Sequence, residues 1–343
     1  MQKFMTISQR ITSLVSLGKQ LNDLTSSEIS GIFETAEADN PWFTKDNIKK
    51  SVIAIRDHYL TQEALDFLVS RYKIDDNIVS KKVGLILAGN IPLVGFHDIL
   101  CCFLMGHISL IKYSDKDKVL IPFLLNQLAN INSETKAYFV TADKLSGYDA
   151  AIATGSNNTA THFRYYFSHV PHIIRQNRNS IAVLSGNETN EQMLALGEDI
   201  FSYFGLGCRN VSKVFVPVGY DVGKLFEVFE AYKDIILHNK YKNNYDYNVA
   251  LYLLNKEKFL HNDMLILKES AQIISRIGSL HYQYYDSLDN LSEWIANHTS
   301  EIQCIVSSMH IPGVETVDFG QAQCPAIDTY ADGTDTIQFL LSI

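Results

Sequence analysis

One cysteine carries the strongest chemical signal in this chain. Cys208 lies in the stretch Phe204–Asn210, after the helical pattern of Glu191–Tyr203 and before the strand pattern of Val211–Val218. A thiol on a turn between two rigid elements can be presented to a cleft, which is the geometry that a nucleophile needs. An unpaired cysteine is also commonly a small buried hydrophobe. On this stretch alone, both interpretations stay open.

Two further loops carry polar residues directly after apolar runs. Asn90 follows the run Val83–Ala88, and its amide could donate a hydrogen bond to a developing oxyanion or simply form an Asn-x-Pro turn. Lys112 ends the next predicted strand, with Ser114 close behind. A lysine at such a position could hold a ribose hydroxyl or a phosphate, or it could be solvated.

A third loop, Gly155-Ser156, follows another apolar strand and opens a predicted helix. Small residues at a helix N-terminus leave room for a diphosphate over the helix dipole. Alone, this signal is weak because it is not a GxGxxG motif. The Gly155-Ser156 signal becomes stronger in context, because it belongs to a series of three such loops that precede the turn carrying Cys208.

The elements that would position these loops predict an α/β fold. Strands alternate with helices from residue 81 onward, which is typical of a parallel, doubly wound sheet with ligands at the carboxyl ends of its strands. We expect an N-terminal helical region at residues 1–75, a coenzyme-binding domain at 76–184, a catalytic domain at 185–310, and a return segment with a terminal strand at 311–343.

The second half predicts several local elements from its patterns. We expect a surface loop at Asn239–Asn248, a strand at Val249–Leu254 and a helix at Asp263–Ile277. The apolar tail Thr336–Ile343 predicts a terminal strand. An apolar strand at a chain end needs a partner, so we expect it to cover another domain or subunit, as in a homo-oligomer.

Composition limits the class of protein. The 343 residues carry a net charge of −9 and 46% apolar residues, which argues against a generally basic nucleic-acid surface and against global disorder. Met1–Met5 lack the apolar core of a secretory signal, and no apolar run is long enough to span a membrane. Five cysteines without a CxxC pair predict neither a disulfide framework nor a zinc site, so we expect a reducing cytoplasm.

Taken in order, these loops resemble the aldehyde dehydrogenase superfamily. Three segments are similar, more closely, to the acyl-CoA reductases of the LuxC family, which are related to the fatty-acid reductase of bioluminescence: Gly89–Asp98 (GNIPLVGFHD), Gly205–Lys213 (GLGCRNVSK) and Phe319–Gln323 (FGQAQ). The resemblance spans roughly residues 50 to 343, and the first two segments are long enough to be specific. It implies two Rossmann-type α/β domains.

The resemblance also implies an activity and residue roles. Cys208 would take a fatty acyl group from a coenzyme A thioester, with Asn90 and the backbone N–H of Cys208 forming an oxyanion hole. NADPH would then reduce the acyl-cysteine to an aldehyde. Residues implied to hold the cofactor are Lys112 and Ser114 at the adenosine ribose, with Lys116 or Lys118 at its 2′-phosphate, Gly155 and Ser156 at the pyrophosphate, and Glu301 at the nicotinamide ribose. An acyl-activating or acyl-transferring protein is an expected partner.

One departure from the superfamily favours a reductase. Aldehyde-oxidising members carry a glutamate, in a Glu-Leu-Gly-Gly-Lys element, that activates water. The corresponding stretch, Arg175–Ser180, contains no carboxylate. Arg175 and Arg178 could contact phosphates of the substrate or cofactor, or form structural ion pairs. Two alternatives remain open, namely a cysteine-dependent acyltransferase or thioesterase without nicotinamide cofactor, and a non-catalytic partner of an acyl-activating enzyme.

His97, Cys101, Cys102 and Cys324 carry weaker expectations. His97, Cys101 and Cys102 fall on the helix that follows the Asn90 loop. We expect His97 to pack or cap within this helix, although a role beside the site is open, and we expect both cysteines in the core. Cys324 follows the Phe-Gly-Gln loop and could lie near the cleft, but nothing in its surroundings marks it as reactive.

Overall fold

The computed structural model describes residues 5–24 and 26–343. The chain divides into two compact units: the first unit is Met1–Asn177 with Pro325–Ile343, and the second unit is Arg178–Cys324. Residues 1–4, on which the expectation of no secretory signal largely rests, lie outside the described residues. Within the described part of the chain, every helix is too short or too polar to cross a membrane.

The first unit begins with four helices, in the region where the sequence predicts helical structure. Each helix begins after a hydroxyl side chain that accepts a hydrogen bond from the backbone N–H three residues further on, which satisfies one of the free donors of the first turn. The helices are α1 (Ile7–Gln20), α2 (Ser27–Asp39), α3 (Lys45–Tyr59) and α4 (Gln62–Tyr72).

A five-stranded parallel sheet follows in the first unit. Its elements are β1 (Lys82–Ile86), α5 (Phe96–Leu104), β2 (Ile108–Lys112), α6 (Leu120–Ile131), β3 (Phe139–Thr141), β4 (Ala150–Thr154), α7 (Asn157–Tyr166) and β5 (His172–Arg175). The strand order is β3-β2-β1-β4-β5. The order reverses between β1 and β4, where Ile86 lies opposite Ala153, and such a reversal opens a crevice at the carboxyl ends of the strands.

The second unit contains a six-stranded sheet in the order β11-β6-β7-β10-β9-β8. All neighbours are parallel except β8 and β9. The elements are β6 (Asn179–Val183), α8 (Asn190–Phe201), β7 (Val211–Pro217), α9 (Lys224–Phe229), α10 (Asn239–Leu254), β8 (Leu260–His261), β9 (Ile266–Glu269), β10 (Ser279–Tyr285), α11 (Leu288–Asn297) and β11 (Ile302–Val306). The chain then returns to the first unit, where α12 (Thr336–Leu341) packs into its core.

The division between the units differs from the expected boundary near residue 184. The strand β6 pairs with β7 and β11, so it belongs to the second sheet instead of ending the first. The second boundary falls between Cys324 and Pro325, inside the expected return segment. A buried apolar strand such as Ser180–Leu184 fits either sheet by its own pattern, because partner strands decide its place.

The predictions for residues 239–277 were wrong. Residues expected to form a loop and a strand form one helix, α10, whose Tyr241, Tyr245, Asn248 and Tyr252 recur at helical spacing and are buried. The expected helix at Asp263–Ile277 instead contains β9, whose Leu267 is fully buried and pairs with Leu280 of β10. Pairing with a neighbouring strand overrides the local helical pattern.

The expected terminal strand was also wrong. Residues 336–341 form α12, which Asp335 begins by accepting the Gln338 N–H at 2.8 Å. Ile337 and Leu340, three residues apart, are buried in the core of the first unit. The apolar tail therefore forms a helix that buries its apolar side chains in its own unit. The argument for a subunit contact through a terminal strand no longer holds.

Candidate active site

The turn that carries Cys208 lies between α8 and β7, as the sequence predicts. The Asn210 N–H donates to the Gly207 carbonyl at 3.1 Å, which closes the turn around a partly exposed Cys208. Upstream, Tyr203, Phe204 and Gly205 have positive φ angles of 53°, 58° and 74°. Left-handed backbone is costly for tyrosine and phenylalanine, and such strain persists only where the surroundings hold it.

Asn210 holds this turn to the end of α8. Its side-chain oxygen accepts the Gly207 N–H at 2.8 Å, and its amide donates to the carbonyls of Asp199 at 3.0 Å and Ser202 at 2.8 Å. The residue is 1% exposed. The last carbonyls of a helix lack partners within the helix, so one buried amide satisfies both the helix end and the turn.

Ser180 on β6 fixes the turn from the side of the sheet. Its hydroxyl donates to the Cys208 carbonyl at 3.1 Å and lies 3.0 Å from the Cys304 sulfur. Burial raises the pKa of the Cys304 thiol, although the nearby Arg209 guanidinium opposes this shift. The Cys304 thiol is therefore uncharged at neutral pH. Ser180 lies between it and the Cys208 carbonyl and so links the Cys208 turn to the sheet.

Glu301 lies at the same edge of the second sheet. Its carbonyl accepts the Asn179 N–H at 3.1 Å, next to Ser180 on β6. The Glu301 side chain is exposed and lines a cleft of about 680 Å³ together with Lys268 and Arg276. Cys208 and Glu301 therefore both lie at the amino ends of parallel strands of one sheet.

The Phe319–Gln321 loop contacts the elements that hold the Cys208 turn. The Asp199 carboxylate, at the end of α8, accepts the Gly320 N–H at 2.7 Å and the Ala322 N–H at 3.0 Å. Arg209 donates to the Ala322 carbonyl at 3.4 Å. Burial raises the pKa of Asp199 to about 6, against the lowering effect of the two N–H donors.

In the first unit, Asn90 lies in the loop that follows β1. The loop turns at Leu93, whose φ is 60°, and the Leu93 N–H donates to Asp117 at 2.9 Å. The same carboxylate accepts the Leu120 N–H at 3.3 Å at the start of α6. Burial raises the pKa of Asp117 to about 6. This buried carboxylate fixes the Asn90 loop to the helix that follows β2.

Lys112 and Ser114 lie where the loops after β1 and β2 meet. A Cβ added at Gly89 would lie 2.6 Å from the Ser114 Cβ and 3.3 Å from the Lys116 Cβ, so only glycine allows this approach. Lys112 is exposed at the carboxyl end of β2. Lys118 forms an exposed ion pair with Asp115 at 2.8 Å. Of the two nearby lysines expected at a 2′-phosphate, Lys118 is therefore already neutralised by a carboxylate.

Gly155 and Ser156 follow β4 and begin α7. The Gly155 N–H donates to the Arg175 carbonyl at 3.2 Å, and a Cβ at Gly155 would lie 3.0 Å from Thr159. Ser156 caps the helix, since its hydroxyl accepts the Thr159 N–H at 3.3 Å. Because β4 and β1 flank the reversal of strand order, this loop and the Asn90 loop border the crevice in which such sheets bind dinucleotides.

The sequence left open whether Arg175 contacts a phosphate or forms a structural ion pair, and the structure shows the ion pair. It forms an ion pair with Asp98 of α5 at 2.5 Å and donates to Thr336 at 2.8 Å. Both members of the pair are buried. In the second unit, Arg178 donates to the carbonyls of Thr299 at 3.2 Å and Ile302 at 3.4 Å. The ion pair ties the helix after the Asn90 loop to the strand whose carbonyl holds Gly155.

The other predicted side chains have structural surroundings. One ring nitrogen of His97 lies 2.7 Å from the Ile327 carbonyl, within the first unit. Cys101 and Cys102 are fully buried, as expected, and burial raises the pKa of both thiols. Cys324 is partly exposed. Within residues 5–24 and 26–343, no group of three or more histidine, cysteine or acidic side chains could hold a metal ion.

Comparison with known proteins gives a fold and no family. No family model matches the sequence, and no curated protein matches it. Solved structures do match. Aldehyde dehydrogenase 21 from Physcomitrella patens, in complex with the reaction product succinate, is 11% identical with a TM-score of 0.70, over 98% of this chain and 84% of that one. The chain has the aldehyde dehydrogenase fold.

Two further structures of this fold contain a cofactor. The Mycobacterium tuberculosis aldehyde dehydrogenase complexed with NAD⁺ is 12% identical with a TM-score of 0.67, over 92% of this chain and 77% of that one. The NAD⁺ complex of the aldehyde dehydrogenase from Bacillus cereus is 12% identical with a TM-score of 0.64, over 88% and 72%. The aldehyde dehydrogenase fold predicted from the sequence is therefore confirmed.

Within this aldehyde dehydrogenase fold, the predicted residues gather at one edge in each unit. The first unit places its five at the carboxyl edge of its sheet: Asn90, Lys112, Ser114, Gly155 and Ser156. The second unit brings Cys208 and Glu301 to the amino edge of its sheet, with the Phe319–Gln321 loop attached to the Cys208 turn. The first group can cradle a dinucleotide, and the second can present a thiol.

Sequence reasoning missed the buried polar residues that hold these loops. These residues are Asp117, Asp199 and Ser180, together with Asn210, which the sequence marks only as part of the Gly205–Lys213 segment. One signal was available for Asp199, which follows Leu196 by three residues on the buried face of α8. A carboxylate on an apolar helix face needs hydrogen-bond donors, and here backbone N–H groups supply them.

Proposed function

We propose that this protein reduces an acyl-CoA thioester, with a fatty acyl group expected, to the aldehyde, using NADPH and an acyl-cysteine at Cys208. The overall reaction converts acyl-CoA, NADPH and a proton to aldehyde, coenzyme A and NADP⁺. The observation that carries the proposal is the Cys208 turn, which Asn210 and Ser180 fix at a sheet edge inside an aldehyde dehydrogenase fold. Scaffold elements that fix a nucleophile reduce the entropy lost in reaching the transition state.

In the first step of the proposed reaction, the Cys208 thiolate attacks the thioester carbonyl. A new sulfur–carbon bond forms, and the coenzyme A thiolate leaves. Asn90 and the backbone N–H of Cys208 are assigned to the oxyanion that develops on the carbonyl oxygen, where preorganised donors act most strongly. After reduction, the tetrahedral thiohemiacetal anion collapses to release the aldehyde and return the thiolate to Cys208.

The cofactor, when bound, supplies the hydride. The residues at the carboxyl edge of the first sheet fit a dinucleotide, because Gly89 and Gly155 allow close backbone approach beside the reversal of strand order. Lys112 and Ser114 are assigned to the adenosine ribose, Gly155 and Ser156 to the pyrophosphate, and Glu301 to the nicotinamide ribose. Of the nearby lysines, Lys116 suits a 2′-phosphate better than Lys118, which already pairs with Asp115.

The stretch Arg175–Ser180 supports reduction over oxidation. Its side chains are two arginines, a glutamine, two asparagines and a serine, so it supplies no carboxylate that could activate water. The structural neighbours also support a nicotinamide cofactor, since two of them are NAD⁺ complexes of aldehyde dehydrogenases. Without a base to activate water, an acyl-cysteine would hydrolyse slowly and persist until hydride arrives.

The direct test follows absorbance of NADPH in the presence of a panel of acyl-CoAs. We expect acyl-CoA-dependent oxidation of NADPH, with NADH as the comparison cofactor. Cys208→Ala should abolish turnover while fold and NADPH binding persist. Asn90→Ala should lower kcat by about 10²-fold, the usual effect of removing an oxyanion donor.

Other outcomes would assign a different function. Retained turnover in Cys208→Ala would refute the assignment. Release of coenzyme A without NADPH consumption would indicate an acyltransferase or thioesterase. Oxidation of aldehydes with water and NAD(P)⁺, but no reaction with acyl-CoA, would indicate an aldehyde dehydrogenase like the structural neighbours. A wild-type protein that fails to bind NADPH at any concentration would favour a non-catalytic partner.

A further inference from the structure

Cys208 and Arg209 are the two central residues of one tight turn. The turn runs from Gly207 to Asn210, and the Asn210 N–H closes it by donating to the Gly207 carbonyl at 3.1 Å. Both central side chains are partly exposed. Because they leave the backbone at the same corner, the side chain of Arg209 begins only about 3.8 Å, one Cα–Cα step, from that of Cys208.

The Arg209 guanidinium is turned toward β11 and the loop that follows Phe319. It donates to the Ala322 carbonyl at 3.4 Å. It also lies close enough to the Cys304 thiol to lower its pKa, against the larger raising effect of burial. The Cys304 sulfur is 3.0 Å from the Ser180 hydroxyl, which donates to the Cys208 carbonyl at 3.1 Å. A single hydroxyl therefore separates a sulfur that interacts with the guanidinium from the backbone of Cys208.

The positive charge of this guanidinium is not neutralised by an ion pair. Within the described part of the chain, no carboxylate lies within ion-pair distance of Arg209. The Asp199 carboxylate, which fixes the same loop, instead accepts the N–H groups of Gly320 at 2.7 Å and Ala322 at 3.0 Å. A cation without a paired carboxylate interacts more strongly with the other groups around it.

The rest of the protein disfavours a thiolate at Cys208. An ordinary cysteine thiol has a pKa of about 8.5, so little of it is ionised at neutral pH. The chain carries a formal net charge of −9, and negative charges nearby disfavour a further one. A neighbouring guanidinium has the opposite effect, and reactive cysteines are typically partly exposed and beside a cation.

Other charged or titratable groups around Phe204–Asn210 do not replace Arg209 in this role. Burial raises the pKa of Asp199 to about 6, so its carboxylate is charged at neutral pH and opposes a thiolate. Arg276 lines a pocket of about 50 Å³ with Phe204 and Gly205, at the upstream end of the stretch and not in the turn itself. The remaining groups are Glu198 on α8, Cys304 on β11, Cys324 after the Phe319–Gln321 loop, and His238 and Tyr241 against Phe204.

We propose that Arg209 holds Cys208 in the thiolate form that attacks the thioester. Arg209 acts through the thiol and is therefore a positioning residue of the reaction. The inference rests on the proposed function for the use of this thiolate. Its ionisation can be measured without acyl-CoA or NADPH, so the two proposals can fail separately.

The test measures how fast Cys208 reacts with a neutral dipyridyl disulfide as a function of pH. A Cys324→Ser background removes another partly exposed thiol, and the reaction phase that Cys208→Ala abolishes belongs to Cys208. We expect Arg209→Gln to move the midpoint of the pH–rate curve upward by about one pH unit, because it removes the cation beside the sulfur. Arg209→Met, which keeps an apolar stem, should give the same shift.

The curves of the wild type and Arg209→Gln should cross. Below both midpoints, the thiolate fraction in the variant is about tenfold lower, but each thiolate is about 3-fold more nucleophilic, so the rate falls about 3-fold. Above both midpoints, the sulfur is ionised in both proteins, and the variant should react about 3-fold faster. A substitution that only loosened the turn would change the rate by one factor at every pH.

Two further variants serve as controls. Arg209→Lys keeps the positive charge and should keep the midpoint within a few tenths of a pH unit of the wild type. Arg178→Gln removes a guanidinium that also donates to backbone carbonyls in the second unit, and it should leave the midpoint unchanged.

Two results would overturn the inference, even when the wild type reduces acyl-CoA. One is an unmoved midpoint in both Arg209→Gln and Arg209→Met. The other is an equal rise in Arg209→Gln and Arg178→Gln, which would reflect net charge alone. A rise confined to the uncharged variants of Arg209, in a protein that does not reduce acyl-CoA, supports the inference and overturns the proposed function instead.

Discussion

Asn210→Ala should separate the reactivity of Cys208 from its positioning. In the wild type, the buried amide accepts the Gly207 N–H and donates to the carbonyls of Asp199 and Ser202. Alanine leaves these three groups without that partner in a site where Asn210 is 1% exposed. Each unsatisfied buried group costs about 1–3 kcal/mol, so we expect a loss of about 3 kcal/mol or more in the free energy of unfolding.

The effect on catalysis should exceed the effect on simple thiol chemistry. Alkylation by iodoacetamide needs only an exposed thiolate, so its rate at Cys208 should stay within a few-fold of the wild type. Acyl transfer needs the thiol at a fixed position relative to the oxyanion donors, and a displacement of about 1 Å can cost about 10²-fold. We therefore expect kcat for acyl-CoA reduction to fall by about that factor in Asn210→Ala.

Urea unfolding measures the stability, alkylation measures the reactivity of the Cys208 thiol, and steady-state rates measure kcat. Asn262→Ala is the matched control, because Asn262 accepts the N–H groups of Met264 at 3.0 Å and Leu265 at 2.9 Å in a turn before β9. It should lose stability and keep kcat. The reasoning is refuted when Asn210→Ala unfolds within 1 kcal/mol of the wild type, or when kcat and the alkylation rate fall by the same factor.

Three further substitutions test the supports of the site. Asp98→Ala leaves Arg175 buried without its carboxylate and should lower the free energy of unfolding in urea by about 3–5 kcal/mol. Replacing both residues by apolar ones should recover much of this loss. Equal losses in the single and double variants would contradict the argument. Gly89→Ala places a Cβ against Ser114 and should weaken NADPH binding at least about 10-fold; unchanged affinity would remove this contact from the cofactor site. Burial raises the pKa of Asp199 to about 6 in the folded state, so the folded protein holds this proton more tightly than the unfolded chain and wild-type stability falls as pH rises from about 4 to 6. Asp199→Asn lacks this titration, so its stability relative to wild type should rise by about 2 kcal/mol over that interval, and a pH-independent difference would show that the carboxyl is not perturbed.

The sequence predicted the loops of the first unit because their signals are local. An apolar run followed by Asn90, or by Gly155-Ser156, marks the end of a buried strand wherever the strand lies in the sheet. In β7, the alternating pattern predicted the strand but not its surroundings. Ser212 and Lys213 are adjacent, so regular alternation would place them on opposite faces of β7. The pairing of β6 with β7 shifts register at this point, and both side chains are buried and donate to carbonyls of the segment between β9 and β10.

The remaining errors arise from partners that lie far along the chain. Gly320 contacts Asp199 across 121 positions, and Ser180 contacts Cys304 across 124. No local pattern carries such a pairing. In α10, tyrosines occupy the buried face, and their mixed polarity resembles a surface loop when they are read one residue at a time. The tail at 336–343 is apolar enough for a strand or a helix, and packing decided between them.

The buried polar residues of the second unit point to its site more directly than its motifs do. A functional loop must leave regular structure to present its residues, and its backbone then loses the partners that helices and strands provide. Asn210 bonds the backbone of the Cys208 turn, Asp199 bonds that of the Phe319–Gln321 loop, and Lys213 donates to the Ala271 carbonyl in the connection between β9 and β10. Asp199 lies on α8, Lys213 on β7 and Asn210 directly before β7, and each would be costly to bury for packing alone. The groups that Asn210 and Asp199 hold lie on the Cys208 turn and on the loop attached to it, which is the pattern expected where a fold holds irregular backbone for chemistry.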